Sequence, residues 1–144
     1  MRKTLLLPDV NVWIALSFNA HTHHLPANSW FKTLTDESLY FCRMTQQGLL
    51  RLASNAKVFP KDAVNLTDAW KLFDRILLDP QIRFADEPPG LESRWRNFSQ
   101  GGTFSPNVWS DAYLAAFAVA GGYELVTFDR GFSRYPGLTH KLLP

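Results

Sequence analysis

Three aspartates stand where carboxylates can do chemistry together: Asp9 in "TLLLPDVNVWIAL", Asp111 in "NVWSDAYLAAFAVA" and Asp129 in "YELVTFDRGF". Asp9 sits in a stretch that is otherwise almost wholly apolar. A charge is rarely buried unless it is paired, hydrogen-bonded or bound to a metal. Each aspartate has an ordinary alternative reading. Asp9 suits a helix N-cap, and Asp111 a solvated helix position, although Trp109, Ala112 and Ala115 make a buried face nearby. Asp129, before Arg130-Gly131, suits a turn. If the three converge, mutual repulsion raises their pKa values and a cation is needed to relieve it. Hard oxygen ligands with open positions suit Mg²⁺ or Mn²⁺, with water or a substrate phosphate completing the shell. That chemistry serves phosphodiester displacement without a nucleophilic serine, cysteine or lysine.

The elements that must position these residues read as follows. Thr4 to Leu7 is a short buried strand bounded by Pro8, and Asp9 or Asn11 caps a short helix through Phe18. "NAHTHHLP" is a loop, followed by an amphipathic helix from Ala27 to Leu34 and a strand in "SLYFCR". Helices are predicted from Thr45 to Asn55 and from Leu66 to Leu78, the second ended by Pro80. "QIRFAD" is a weak strand and "PGLESRWRNFSQGG" a short helix or loop. Ser105 is a predicted N-cap, with Pro106 at the first helical position of a long helix stopped by Gly121-Gly122. "YELVTF" is a strand ending at Asp129, and "LTHKLL" a last strand.

Strands alternating with helices imply an α/β fold, a three-layer α/β/α sandwich with a mostly parallel central sheet. Ligands in such sheets bind outside the carboxyl ends of the strands, where Asp9 and Asp129 both fall. From Asp111 to Ala120 the helix descends roughly 14 Å at 1.5 Å per residue. From Glu124 to Asp129 the strand climbs roughly 17 Å at 3.3 Å per residue. The two displacements nearly cancel, so all three aspartates are expected at one edge.

The chain has 144 residues, enough for one domain with a real core, and no long segment of it lacks apolar residues. Its start, "MRKTLLLPDV", opens like a secretory signal, but the leucine run stops at Pro8-Asp9 without a cleavage site. No run approaches the ~20 apolar residues of a membrane span. One cysteine, Cys42, forms no internal disulfide and fits a reducing compartment, so a soluble cytoplasmic protein is expected. A net charge of +2 is compatible with a polyanionic partner and decides little alone.

The stretches "LLLPDVNVWIAL", "FCRMTQQGLLRLASN" and "WSDAYLAAFAVAGGYELVTFDRGFSRY" together resemble the PIN-domain nucleases, most closely their VapC-type toxin branch. The resemblance spans nearly the whole chain. It implies an Mg²⁺- or Mn²⁺-dependent endoribonuclease, the toxin of a toxin–antitoxin pair. RNA would be the substrate and a VapB-like antitoxin the partner, commonly with a homodimer and without a membrane. Position by position, Asp9, Asp111 and Asp129 match metal-binding acids, and Asn11 matches the polar residue that often follows the first of them. Ser110 and Thr127 are the hydroxyls expected to support the acids. The second acid is where the chain departs, with Thr45-Gln46 in place of the "TE" pair of many relatives. Gln46 keeps an oxygen that can orient a water but loses a charge, so weaker metal binding is expected.

Two rivals follow from the same residues. A catalytically weak RNA- or protein-binding PIN-like domain is the first. The second is a phosphotransferase with Asp9 as phosphoryl acceptor, against which Asn11 stands where such enzymes carry a second aspartate. Arg43 and Arg130 lie next to the expected edge and are candidate phosphate contacts; Arg51, Arg94, Arg96 and Arg134 read as surface arginines. Glu87 reads as a surface loop residue. His21, His23 and His24 suggest a transition-metal site, but a loop leading into the next helix is the stronger reading. Trp95, Phe98 and Phe104 are equally open to base stacking, partner contact or capping of the core.

Overall fold

The computed structural model describes residues 4–144. The basic start of the signal-like stretch lies outside them. Five strands form one sheet: β1 (Leu5–Pro8), β2 (Ser38–Phe41), β3 (Ile82–Phe84), β4 (Glu124–Thr127) and β5 (His140–Leu142), in the order β3-β2-β1-β4-β5. Every pairing is parallel, so the expected mostly parallel sheet is fully parallel. Six helices cover it: α1 (Val10–Ser17), α2 (His24–Lys32), α3 (Arg43–Ala53), α4 (Leu66–Ile76), α5 (Leu91–Gln100) and α6 (Val108–Gly121).

The pleat sorts the strand residues into two cores. Leu6, Leu39, Phe41 and Val126 face one cluster with Val12, Trp13, Leu49 and Phe73, which places α1, α3 and α4 on that side. Leu7, Cys42 and Leu125 face the other with Ala112, Ala115 and Leu91, which places α5 and α6 opposite. The result is the three-layer α/β/α arrangement. In the first layer Trp13 stacks on Phe41 with ring centres 3.8 Å apart, and Phe73 meets Phe41 edge-on at 5.0 Å.

Element boundaries differ from the sequence reading where local chemistry competes. α2 begins at His24 rather than Ala27, because Pro26 falls in the first turn, where a missing N–H costs nothing. α3 begins at Arg43, since Thr45 and Cys42 close a capping box across the chain reversal after β2. α6 begins at Val108 behind Asn107, and Ser105-Pro106 form the preceding turn instead of its cap. "PGLESRWRNFSQGG" resolves into the helix α5. At the far end of α6, Gly122 adopts a left-handed φ of 74° and closes the helix by donating to the Ala118 carbonyl.

Strand order reverses beside β1: β2 lies on one flank and β4 on the other. In parallel α/β sheets such a switch point is where ligands are taken, outside the carboxyl ends of the strands, here those of β1 and β4. Pro8 aligns with Val126, and the backbone N–H of Asp9 donates to the Val126 carbonyl at 2.9 Å. Asp9 is therefore delivered to the end of β4 by the sheet itself.

Candidate active site

Asp9 caps α1 and is 8% exposed. Its Oδ1 accepts the Val12 N–H at 3.2 Å, and its Oδ2 accepts the Thr127 hydroxyl at 2.5 Å. The cap reading of Asp9 holds. A cap occupies only one oxygen, and the other faces the neighbouring strand. Burial, helped by the nearby Asp129 charge, raises its pKa to about 6 against the hydrogen bonds from Thr127, Val12 and Asn11 that favour the charged form.

Thr127, fully buried at the end of β4, also accepts the backbone N–H of Asp129 at 2.9 Å. Asp129 then caps the short 3₁₀ turn Arg130–Arg134, its Oδ1 accepting the Gly131 N–H at 2.8 Å. The turn reading of Asp129 also holds, and leaves its other oxygen free of that cap. Asp111 lies in the first turn of α6, half-buried; burial and Asp129 raise its pKa, while Arg134 lowers it. Asp129 therefore acts electrostatically on both Asp9 and Asp111. The α6 N-terminus, with its partial positive charge, partly offsets that cluster.

The remaining predicted residues distribute as follows. Gln46 is buried in the first turn of α3, and its Oε1 accepts the Arg43 guanidinium at 2.6 Å, while that guanidinium sits 4.6 Å over the Phe84 ring. Thr45 is fully buried and serves the capping box with Cys42. α3 comes close to the start of α1 because Gly48 lacks a side chain: a Cβ there would stand 2.5 Å from Val10 Cγ2. Asn11 has an exposed side chain and contributes its backbone N–H to Asp9. Ser110 donates to the Asn107 carbonyl at 3.2 Å, a contact at the start of α6. Arg130 and Asp129 are both exposed. Glu87 is exposed and accepts the Tyr113 hydroxyl at 2.6 Å.

The histidines hold a loop. His24 Nδ1 lies 2.7 Å from the Ala15 carbonyl, the His23 ring stacks on Phe128 with centres 4.5 Å apart, and burial lowers the His21 pKa. Among the described residues, no three His, Cys, Asp or Glu side chains are gathered closely enough to hold a metal. The three aspartates consequently share a field without yet sharing a centre. Arg134, grouped by its sequence setting with the surface arginines, is the feature that reading missed: its Nη2 lies 3.7 Å from Asp111 Oδ2. The only available signal was an arginine closing the turn that Asp129 opens.

Residues 6–138 match the PIN domain family. Ribonuclease VapC41 of Mycobacterium tuberculosis is 42% identical over 144 residues, covering 96% of this chain and 99% of that one. Among solved structures, VapBC2 from Rickettsia felis, bound to a DNA fragment from its promoter, superimposes with a TM-score of 0.72 at 15% identity, covering 98% and 100% of the two chains. VapC20 of Mycobacterium tuberculosis, described as a Sarcin-Ricin loop cleaving toxin, superimposes with a TM-score of 0.67 at 15% identity over 96% and 99%. At such low identity these likenesses show the fold alone, and the family assignment rests on sequence: the chain belongs to the PIN-domain family.

Proposed function

We propose that this chain is a divalent-cation-dependent endoribonuclease acting as the toxin of a toxin–antitoxin pair. The observation that carries the reading is the buried Asp9 carboxylate, linked through one hydroxyl to the residue next to it in charge, Asp129, within a chain 42% identical to a ribonuclease along nearly its full length. A carboxylate this deeply buried is destabilised, and a second carboxylate nearby adds to the cost; a bound cation reverses both.

The donor chemistry fits Mg²⁺ or Mn²⁺. Asp9, Asp111 and Asp129 offer hard oxygens, while the one thiol, Cys42, is buried in the core and His24 is held against the Ala15 carbonyl. When bound, the cation would supply Lewis acidity toward a phosphodiester and neutralise the charge developing in its displacement. The chain's own residues do the rest. Thr127 orients Asp9, Asp129 is held by the Gly131 N–H, and Arg43 and Arg130 offer positive charge to the RNA backbone. RNA is cleaved to leave a 5′-phosphate and a 3′-hydroxyl. The protein partner is an antitoxin, in keeping with the two-component VapBC assemblies that share the fold.

A second reading has its own support. Gln46 stands where an acid is common, its oxygen is taken by Arg43, and the acids are not gathered into a metal centre. A domain that binds RNA without cutting it would have these features. Incubating total RNA and a panel of structured RNAs with Mg²⁺ or Mn²⁺ decides between them. Cleavage abolished by chelator and by Asp9→Asn supports the nuclease; cleavage that survives either rejects the metal site; binding without cleavage establishes the second reading.

A further inference from the structure

Arg134 is built into the edge of the acid cluster by four contacts. Nη2 pairs with Asp111 Oδ2 at 3.7 Å and donates to the Tyr135 hydroxyl at 2.7 Å. Nη1 donates to the Gly131 carbonyl at 3.0 Å, and the guanidinium carbon lies 4.7 Å from the centre of the Tyr135 ring. Gly131 makes the space, since a Cβ at that residue would lie 2.9 Å from Nη1. Tyr135 and Gly131 hold the plane of the guanidinium through neutral groups, which leaves its charge available. The pair with Asp111 is long for a charge-assisted hydrogen bond, and the two side chains are 50% and 25% exposed. An ion pair of this kind is weak and readily exchanged. Beside it opens a cavity of about 600 Å³, lined by Phe98, Gly101, Gly102, Ser105 and Tyr135 with Arg134 on its wall.

We propose that Arg134 is a partner-exchanging residue: it is the counter-ion of Asp111 in the metal-free protein, and it turns to a phosphate of the RNA strand when Asp111 takes up a divalent cation. The inference rests on the nuclease reading above. A planar guanidinium preset by Tyr135 and Gly131 suits bidentate phosphate binding, which a lysine ammonium does not reproduce. The adjoining cavity, lined in part by Gly101, Gly102 and Phe98, leaves space beside the guanidinium for a strand. Because guanidinium and metal compete for one carboxylate, neutralising residue 134 strengthens metal binding while weakening RNA binding. A purely structural arginine would not produce these opposite effects.

The test uses the full chain as wild type, Arg134→Gln and Arg134→Lys. Calorimetric titration with Mn²⁺ is expected to show Arg134→Gln binding about two- to five-fold more tightly than wild type. Anisotropy of a fluorescein-labelled single-stranded RNA oligonucleotide, with Ca²⁺ in place of Mn²⁺ and probe integrity checked on a gel, is expected to show a salt slope smaller by about 0.7 in Arg134→Gln, which Arg134→Lys restores. Unchanged or weaker Mn²⁺ binding in Arg134→Gln overturns the proposal, as does an unchanged salt slope. A wild type that binds Mn²⁺ and cuts RNA while these readouts ignore residue 134 leaves the nuclease reading standing and removes this one. A wild type that binds no Mn²⁺ and cuts no RNA removes both.

Discussion

The Thr127 hydroxyl donates to Asp9 Oδ2 at 2.5 Å and accepts the Asp129 N–H at 2.9 Å, so one buried side chain ties the ends of two adjacent strands to two site acids. Replacing Thr127 with valine keeps the shape of the side chain and removes both bonds. The Thr127 bond lowers the Asp9 pKa, so its loss raises that pKa further and disorients the carboxylate. Supporting groups of this kind are worth about 10–100-fold in metal affinity or activity. Thr127→Val is expected to lose about that much in RNA cleavage rate, with Thr127→Ser retaining most of it; equal rates in all three proteins would contradict the role.

Asp9 also sets a pH dependence. Its pKa is about 6 in the folded protein against an ordinary 3.8, so the folded state holds the proton more tightly than the unfolded state. Stability from this group is therefore fully present below pH 3.8 and is lost as pH rises through 6. A shift of this size corresponds to about 3 kcal/mol. Asp9→Asn is expected to be more stable than wild type by up to that amount at pH 8 in EDTA, and the advantage should vanish near pH 3. Urea denaturation at both pH values measures it. Mn²⁺ at pH 8 should then stabilise wild type and leave Asp9→Asn unmoved.

Gly48 admits Val10, the residue after Asp9, to close contact with α3. A methyl group at Gly48 would lie 2.5 Å from Val10 Cγ2, so Gly48→Ala either displaces the start of α1 or strains Val10. Overpacking of this kind costs about 1–3 kcal/mol. The double variant Gly48→Ala/Val10→Ala relieves the clash, and a double-mutant cycle should show a favourable coupling. Additive effects would mean that the contact is absent.

Gln46→Glu introduces a carboxylate near the start of α3, at the position proposed for a further acid. Ligand charge sets divalent-cation affinity, so Mn²⁺ binding is expected to tighten by about tenfold. Arg43, 2.6 Å from the present oxygen, would remain as its partner and limit the gain. Adding Arg43→Gln to Gln46→Glu should release the remainder, read by the same calorimetric titration. No gain in either variant would place residue 46 outside the cation's reach.

Much of this architecture was legible before any coordinates. The alternation of apolar runs and amphipathic helices carries the layers, and the apolar surroundings of Asp9 mark it as unusual. Helix and strand rise alone place Asp111 and Asp129 at similar height, and the charge of Asp129 does act on Asp111, although the acids are not gathered into one centre. What escaped was chemistry between parts of the chain that no local pattern joins. Arg134 and Asp111 are 23 positions apart, on a 3₁₀ turn and a helix. The Arg43–Gln46 contact is the exception, an i, i+3 helix pair hidden because the sequence reading starts α3 at Thr45 and leaves Arg43 outside it. The start of α2 was obscured by Pro26, which ends many helices but is harmless within a first turn.

The two border strands of the sheet, β3 and β5, are only three residues long. A border that short offers an incoming chain almost no ladder to extend, which suppresses fibril-like stacking. When many copies of this protein crowd together, their encounters are thereby steered away from backbone pairing and onto helical side chains, where each exposed residue can be tuned one substitution at a time.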